Sequence, residues 1–385
     1  MEEKIKEEFD RIKHNIYYMD WNVISYLRNP DEIKNNDELK NKTLCLDNIL
    51  FGLLDKRYFV IPYSNAHLLD IFNCSKEYEK PSLDFIDKIS SNWQVSEHYD
   101  DKEVLRIDKV PNIFENYNSY HEQLIETNKY TESLSQLFTP LFDLVKQYIE
   151  YTSDLHDITP EHKEEIKDLL TCLFPMDDEE LKIKLLKKNK NYKFNLRDLE
   201  GKKIKFPNIE SAKAKCPKKN IKELVDFCIK ISDLPFDSLE DIKNKIQFNN
   251  YTPALSNFNN KINNLYFLAE FINVSTEKLD SKTAFQGIVN DQFHINYGLR
   301  CNIFITEDDA LYRKSLFIKD WIQSNTHVFK IDDFNRYLLC LITKQAINNS
   351  SEPPTDRNDF TYTFTDNNNK VIKEYKITLD EINRS

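Results

Sequence analysis

The chain has 385 residues, 40% apolar and 30% charged, with a formal net charge of −11. This length suits one large domain or two to three smaller ones, and the 25 Phe and 20 Tyr argue against global disorder. With only 4 Gly there is no place for a glycine-rich phosphate loop such as GxGxxG or a Walker A.

Residues 1–13 are mostly charged, and Ile5, Phe9 and Ile12 share one face of a short helix. Asn15 to Met19 reads as a short strand ending at Asp20, and Asn22 to Leu27 as the start of a helix. Apolar positions 44, 46, 49, 50, 53 and 54 have helical spacing. Tyr58 to Ile61 is a second strand stopped by Pro62, and Ser64 caps a helix running through Phe72.

From 75 to 280 the chain is charged and helical by pattern, notably over 134–151, 161–173, 178–186, 221–231 and 255–272. Strand-like alternation returns at Cys301 to Ile305 and His327 to Ile331. The helices Ala284 to Tyr297, Ala310 to Ile322 and Asp333 to Ala346 are set around these strands. Phe360 to Phe364 and Val371 to Ile377 form a β-hairpin that reads as a small appendage.

The expected class is therefore α/β, a short parallel sheet flanked by helices. Residues 1–74 and 281–347 form the two parts of one core of about 140 residues, a usual domain size. Residues 75–280 form a mostly helical insertion, and 348–385 a C-terminal loop and hairpin. Seven Cys without a CxxC pair read as reduced thiols of a cytoplasmic protein, and no zinc-type His or Cys spacing occurs. No signal peptide and no stretch of 18 apolar residues is present, so no membrane partner is expected.

Four stretches carry acids, Asp20, Asp70, Asp291 and Asp308, and three of the four sit at the end of a strand-like run or just beyond one. Strand ends at one edge of a parallel sheet converge, so carboxylates far apart in sequence can share a site. Close carboxylates repel, and a divalent ion with hard oxygen ligands relieves the repulsion. Each acid also has a plainer reading. Asp20 and Asp308 serve as helix N-caps, Asp70 as an exposed helical position, and Asp291 as a partner for a lysine or a turn. Glu307 is expected to face solvent.

The segments Asp20-Trp21-Asn22-Val23-Ile24 and Ile303-Phe304-Ile305-Thr306-Glu307-Asp308 resemble the first and late motifs of the PIN-like nuclease superfamily. The resemblance covers 14–74 and 284–346 and implies a Mg²⁺- or Mn²⁺-dependent nuclease. Asp20, Asp291 and Asp308 are then the expected metal ligands, with Asp70 as a further catalytic acid. Endonucleolytic cleavage and RNA over DNA as substrate come from the resemblance alone. So does a role as a toxin or defence effector. Asn22, Ser64 and Thr306 are candidates to orient a carboxylate or a water. His67 and His294 lie one helical turn from Asp70 and Asp291 and are candidates for phosphate contact or proton transfer, or are structural histidines.

Residues 182–222 hold 15 Lys or Arg against 3 acids, a local charge of +12 that leaves −23 on the rest. Lys187, Lys188, Lys202, Lys203, Lys205, Lys218 and Lys219 lie among Tyr192, Phe194 and Phe206. Lysines neutralise phosphates and aromatic faces stack on bases, so this segment is the expected nucleic-acid contact. A solvated loop, or contact with another copy or a regulatory protein, is the alternative. A catalytically silent binding module and an Asp-based phosphatase are the competing functions. The latter is disfavoured because Trp-Asn follows Asp20 where such enzymes carry Asp-x-Asp.

Overall fold

A computed structural model describes residues 15–54, 59–96, 106–123, 203–205, 213–215, 262–263, 265–266, 269, 284–349, 359–366 and 369–384. The helical patterns read at 1–13, 134–151, 161–173, 178–186 and 221–231 lie outside these residues.

Strands β1 (Tyr17–Met19), β7 (Ile303–Ile305) and β8 (His327–Phe329) form a parallel ladder in the order β1-β7-β8. All three residues of β1 and of β7 are buried, the pattern of parallel strands covered on both faces. At the edge, β8 exposes His327 and buries Val328. A second ladder joins β2 (Tyr63–Ser64) in parallel to β3 (Trp93–Ser96), which pairs antiparallel with β4 (Arg106–Lys109). Residues 59–64 connect the two ladders. Val60 bridges Ile16 in parallel, and Tyr63 and Ser64 pair with Gln94 and Val95. The strand expected at Tyr58 to Ile61 is, among the described residues, only the bridge at Val60, and no ladder runs through Pro62. Pro62 lacks an N–H, and the chain changes partner around it, from β1 on one side to β3 on the other. The order across both ladders is β4-β3-β2-β1-β7-β8, with only β4 antiparallel among them.

Alternation along the strands divides the interior. Tyr17, Met19, Ile303 and Ile305 enter one cluster with Val23, Ile24, Cys45, Leu46, Ile49, Phe334 and Leu338. These come from helices α1 (Trp21–Arg28), α2 (Asp37–Leu54) and α8 (Ile331–Asn349). Tyr18 faces the other way, with ring centroids 5.0 Å from His67, 5.9 Å from His294 and 5.8 Å from Phe304. Those two histidines belong to α3 (Asn65–Asn73) and α6 (Ala284–Gly298). Gly298, the last residue of α6, lets the helix end directly over Phe304. A Cβ there would lie 2.6 Å from the Phe304 ring. Helix α7 (Asp309–Ile322) then joins β7 to β8.

Two boundaries differ from expectation. The break placed at residue 74 does not separate core from insertion. Helix α4 (Lys76–Ser90), strand β3 and helix α5 (113–123) put Leu83, Ile86, Ile89, Ile113 and Tyr117 into the main cluster. Strand β4, Arg-Ile-Asp-Lys, was unreadable because an edge strand tolerates charges on most positions. Nor is the C-terminal hairpin an appendage. In β9 (Asp359–Thr365) and β10 (Val371–Thr378), Tyr375 and Ile377 are fully buried, joined by Ile382 of α9 (Leu379–Arg384). The Tyr375 hydroxyl donates to Asp332 Oδ1 (2.8 Å) and accepts from Asn335 Nδ2 (2.9 Å), fixing the hairpin to α8. Cys45, Cys74, Cys301 and Cys340 carry free thiols. Among the described residues no helix is long and apolar enough to cross a membrane.

Candidate active site at the carboxyl edge of the sheet

Asp20 follows β1 directly, and Thr306 follows β7. The ladder continues one residue further here: Asp20 N donates to Ile305 O (2.9 Å) and Thr306 N to Phe329 O (3.0 Å). Two side chains are thereby set beside one another. The Thr306 hydroxyl donates to Asp20 Oδ2 and accepts from Asp308 N (3.2 Å). Each aspartate also caps the helix it begins. Asp20 Oδ1 accepts from Val23 N (2.9 Å), and Asp308 Oδ1 from Leu311 N (2.8 Å). Capping and clustering are thus not alternatives, since both acids do both.

Asp20 is 1% exposed. Burial pushes its carboxyl up to about 6, and the charge of Asp308 adds to the rise. The Thr306 hydroxyl, the Val23 amide and the charge of His294 pull the other way. A buried carboxylate beside a second one is relieved either by keeping its proton or by a nearby cation.

Behind this pair lies a hydrogen-bonded chain. Asp70 Oδ2 meets His294 Nε2 at 2.6 Å, and Asp70 Oδ1 accepts from Asn290 Nδ2 (2.8 Å). His294 Nδ1 meets the Tyr18 hydroxyl at 2.9 Å, which meets Ser64 Oγ at 2.7 Å. Positions 290 and 294 share a face of α6, which is why both reach α3. His294 is 3% exposed and both its ring nitrogens are engaged, so its place is to support Asp70 and not to contact a phosphate. Asp291, one position round the helix, accepts from the Tyr266 hydroxyl (3.3 Å), which also accepts from the fully buried Lys314 Nζ (2.8 Å).

Three expectations are corrected. His67 is not available to a substrate. It is fully buried, its Nδ1 accepts from Ser64 N (3.0 Å), and its Nε2 therefore carries the proton donated to Met19 O (2.8 Å). Burial, and then the charge of His294, hold this imidazole well below its ordinary pKa, so it stays neutral. With Ser64 it forms the capping box of α3, so Ser64 also has a structural task, accepting from Ala66 N (3.2 Å). Asn22 is exposed on α1 and, among the described residues, bonds to none of the aspartates. Glu307 does not face solvent. It pairs with Lys42, caps α8 through Ile331 N (3.1 Å), and its side chain is 14% exposed.

Tyr18, Asn290, Tyr266 and Lys314 escaped the sequence reading. The i, i+4 spacing of Asn290 and His294 was a readable signal. Tyr18 carried none, because a tyrosine in an apolar strand looks like ordinary core. Among the described residues, no group of three or more His, Cys, Asp or Glu is arranged to hold a metal ion. Asp20 and Asp308 are joined through the Thr306 hydroxyl, and their carboxylates offer hard oxygens of the kind Mg²⁺ accepts while keeping several waters.

Of the expected basic contacts, Lys203 and Lys205 lie in β5 (Lys203–Lys205), antiparallel to β6 (Lys213–Lys215). Lys203 stands opposite Lys215, and Lys205 opposite Lys213. Lys187, Lys188, Lys202, Lys218 and Lys219 lie outside the described residues.

Fold and site together define a mixed α/β protein: a short parallel sheet flanked by helices, a small C-terminal antiparallel hairpin, and an acidic pair at the strands' carboxyl edge. No family model matches the chain, and no curated protein or solved structure matches it.

Proposed function

We propose that this protein is a divalent-cation-dependent nuclease with a PIN-like core, Asp20 and Asp308 holding the ion. The observation that carries the reading is the Asp20–Thr306–Asp308 bridge across the ends of adjacent parallel strands. The strand order β3-β2-β1-β7-β8 and the closure of the sheet by residues from both ends of the chain support the PIN-like assignment. When bound, the ion supplies Lewis-acid polarisation of a phosphoryl oxygen.

The chain's own groups set the stage for that chemistry. Thr306 orients the Asp20 carboxylate, and the two helix amides at Val23 and Leu311 fix one oxygen of each acid. The charge of Asp308 lies close enough to act on the buried Asp20 carboxyl. Asp70 and Asp291 stand behind as an outer acidic set held by α6, Asp70 through Asn290 and His294, Asp291 through Tyr266.

Substrate delivery is assigned to the Lys-rich segment. Directly opposed like charges destabilise a strand pair, and two three-residue strands are marginal alone. Lys203, Lys205, Lys213 and Lys215 fall at alternate positions of one ribbon, so a polyanion is the natural counter-charge. RNA over DNA, endonucleolytic cleavage and an intracellular effector role extend the reading by family resemblance.

The second reading is a catalytically silent nucleic-acid or protein binding module. It needs only the lysine ribbon of Lys203, Lys205, Lys213 and Lys215 and no ion at the acidic pair. Labelled single- and double-stranded RNA and DNA, incubated with Mg²⁺, Mn²⁺ or EDTA, separate the two. Cleavage that needs the cation and is lost in Asp20→Asn and Asp308→Asn supports the nuclease. Cleavage persisting in both variants removes the site, and binding without cleavage under any cation supports the silent module.

A further inference from the structure

The C-terminal hairpin has an inner and an outer strand. Strand β10 buries Tyr375 and Ile377, and two hydrogen bonds fasten Tyr375 to α8. Strand β9 buries none of its seven residues: Asp359, Thr361, Thr363 and Thr365 are exposed, and Phe360, Tyr362 and Phe364 are partly buried. Among the described residues its ladder partner is β10.

The outer strand lacks the side chains that commonly blunt a sheet edge. From Phe360 to Thr365 it has neither a charge nor a proline, and threonine and aromatic residues are strong strand formers. Its aromatic side chains face the core. There the Tyr362 hydroxyl lies 2.7 Å from Thr343 Oγ1 on α8, and Phe364 meets the Tyr375 ring edge-on at 5.8 Å. The threonines line the opposite, solvent face.

This strand reads the same in both directions. Phe360-Thr361-Tyr362-Thr363-Phe364 is symmetric about Tyr362. Two antiparallel copies centred there set Tyr362 opposite Tyr362, Thr361 opposite Thr363 and Phe360 opposite Phe364. Each of these positions meets its own residue type across a two-fold axis, as an isologous contact requires. Aromatic pairs and Thr–Thr pairs across strands are both favourable, and Asp359 falls opposite Thr365, so no like charges meet.

We propose that β9 is a docking edge for a second copy of this chain, joining two hairpins into one four-stranded antiparallel sheet in the order β10-β9-β9-β10. The contact does not depend on the activity assigned to the acidic edge. It is only one strand wide, and each copy carries a net charge of −11, so the dimer is reversible and is strengthened by salt that screens the repulsion.

Sedimentation velocity of the full chain, from about 1 µM to about 500 µM at low and high NaCl, tests this. A monomer–dimer equilibrium is expected, tighter at high salt. In the proposed register positions 361 and 363 oppose one another on both sides of the axis, while within the hairpin Thr361 stands opposite Lys376 and Thr363 opposite Glu374. Thr361→Glu/Thr363→Lys suits both pairings and should tighten the dimer by about three- to tenfold, and Thr361→Glu/Thr363→Glu sets like charges across the axis and should weaken it by about as much. A gain of affinity is not a result that misfolding gives. By hydrogen exchange, β9 amides that are fast at the lowest concentration should slow as the dimer forms. The proposal is overturned if the chain stays monomeric throughout, if the two variants associate alike, or if no β9 amide is fast at the lowest concentration, which would mean that the chain itself already covers this edge.

Discussion

The carboxylate of Asp20 and the backbone amide of Asp308 meet on a single oxygen, the hydroxyl of Thr306. This bond spans 286 residues of sequence and lies wholly in the interior. It makes the relative position of the two acids a property of β1 and β7 pairing in register, not of the loops that follow.

Thr306→Val keeps the shape and removes the oxygen. Asp20 Oδ2 loses its donor and Asp308 N its acceptor, which should cost about 1–3 kcal/mol of stability. If the proposed nuclease activity exists, it should fall by about tenfold or more at unchanged substrate affinity, because the carboxylates are no longer aligned. Urea denaturation and kinetics together check both halves. An unchanged midpoint would show that the hydroxyl bridge contributes nothing.

Asp20 makes stability pH-dependent in a definite direction. Its folded value of about 6 lies above the ordinary 3.8, so the folded protein holds the proton more tightly than the unfolded chain. Below 3.8 both states are protonated and no cost arises. Stability then falls as pH rises toward about 6, and above that the full cost stands, at most about 3 kcal/mol. Asp20→Asn should therefore be more stable than the wild type at pH 7.5 and no more stable at pH 3.5. Mg²⁺ should raise the wild-type midpoint at pH 7.5 and leave the variant unmoved. A variant with the same pH slope as the wild type would contradict the assignment.

His67 and His294 should separate cleanly. His67→Ala removes the acceptor for Ser64 N and the donor to Met19 O from a fully buried position, with an expected loss of about 2–4 kcal/mol. His294→Gln keeps a partner for Asp70 and should cost less stability, while changing cation affinity through Asp70 and Asp20. Thermal melts with and without Mn²⁺ distinguish the two. Equal losses with no change in the Mn²⁺ response would mean that both are merely structural.

Gly298→Ala drives a methyl into the Phe304 ring, whose Cγ, Cδ1 and Cδ2 all lie within 2.9 Å of the ideal Cβ. These atoms are near the base of a fully buried side chain and have little room to yield. The expected cost is about 1–3 kcal/mol, read from denaturation midpoints. A neutral or stabilising result would show that the end of α6 can draw back from β7.

Some of this was legible in the residues themselves. Tyr-Tyr-Met and Ile-Phe-Ile are short apolar runs ending at an acid or at Thr-x-Asp, and runs of that kind form buried parallel strands with caps at their ends. The helical spacing of α2, α6, α7 and α8 and the turn of the hairpin were local signals of the same sort. Other features had no local signature. Strand β4 carries three charges in four residues and is a strand only because β3 lies beside it. The hairpin is core because Tyr375 finds Asp332 and Asn335 on α8.

By itself, then, the order of side chains determined β1 and β7 and the acids that cap the helices after them, Asp20 and Asp308, because capping and burial periodicity act over a few residues. Only tertiary contact decided that Asp20 and Asp308 share Thr306, that His67 is a neutral brace and not a reagent, and that Glu307 is paired with Lys42. Those outcomes depend on desolvation and on hydrogen-bond partners supplied by distant segments, and neither exists until the sheet has closed.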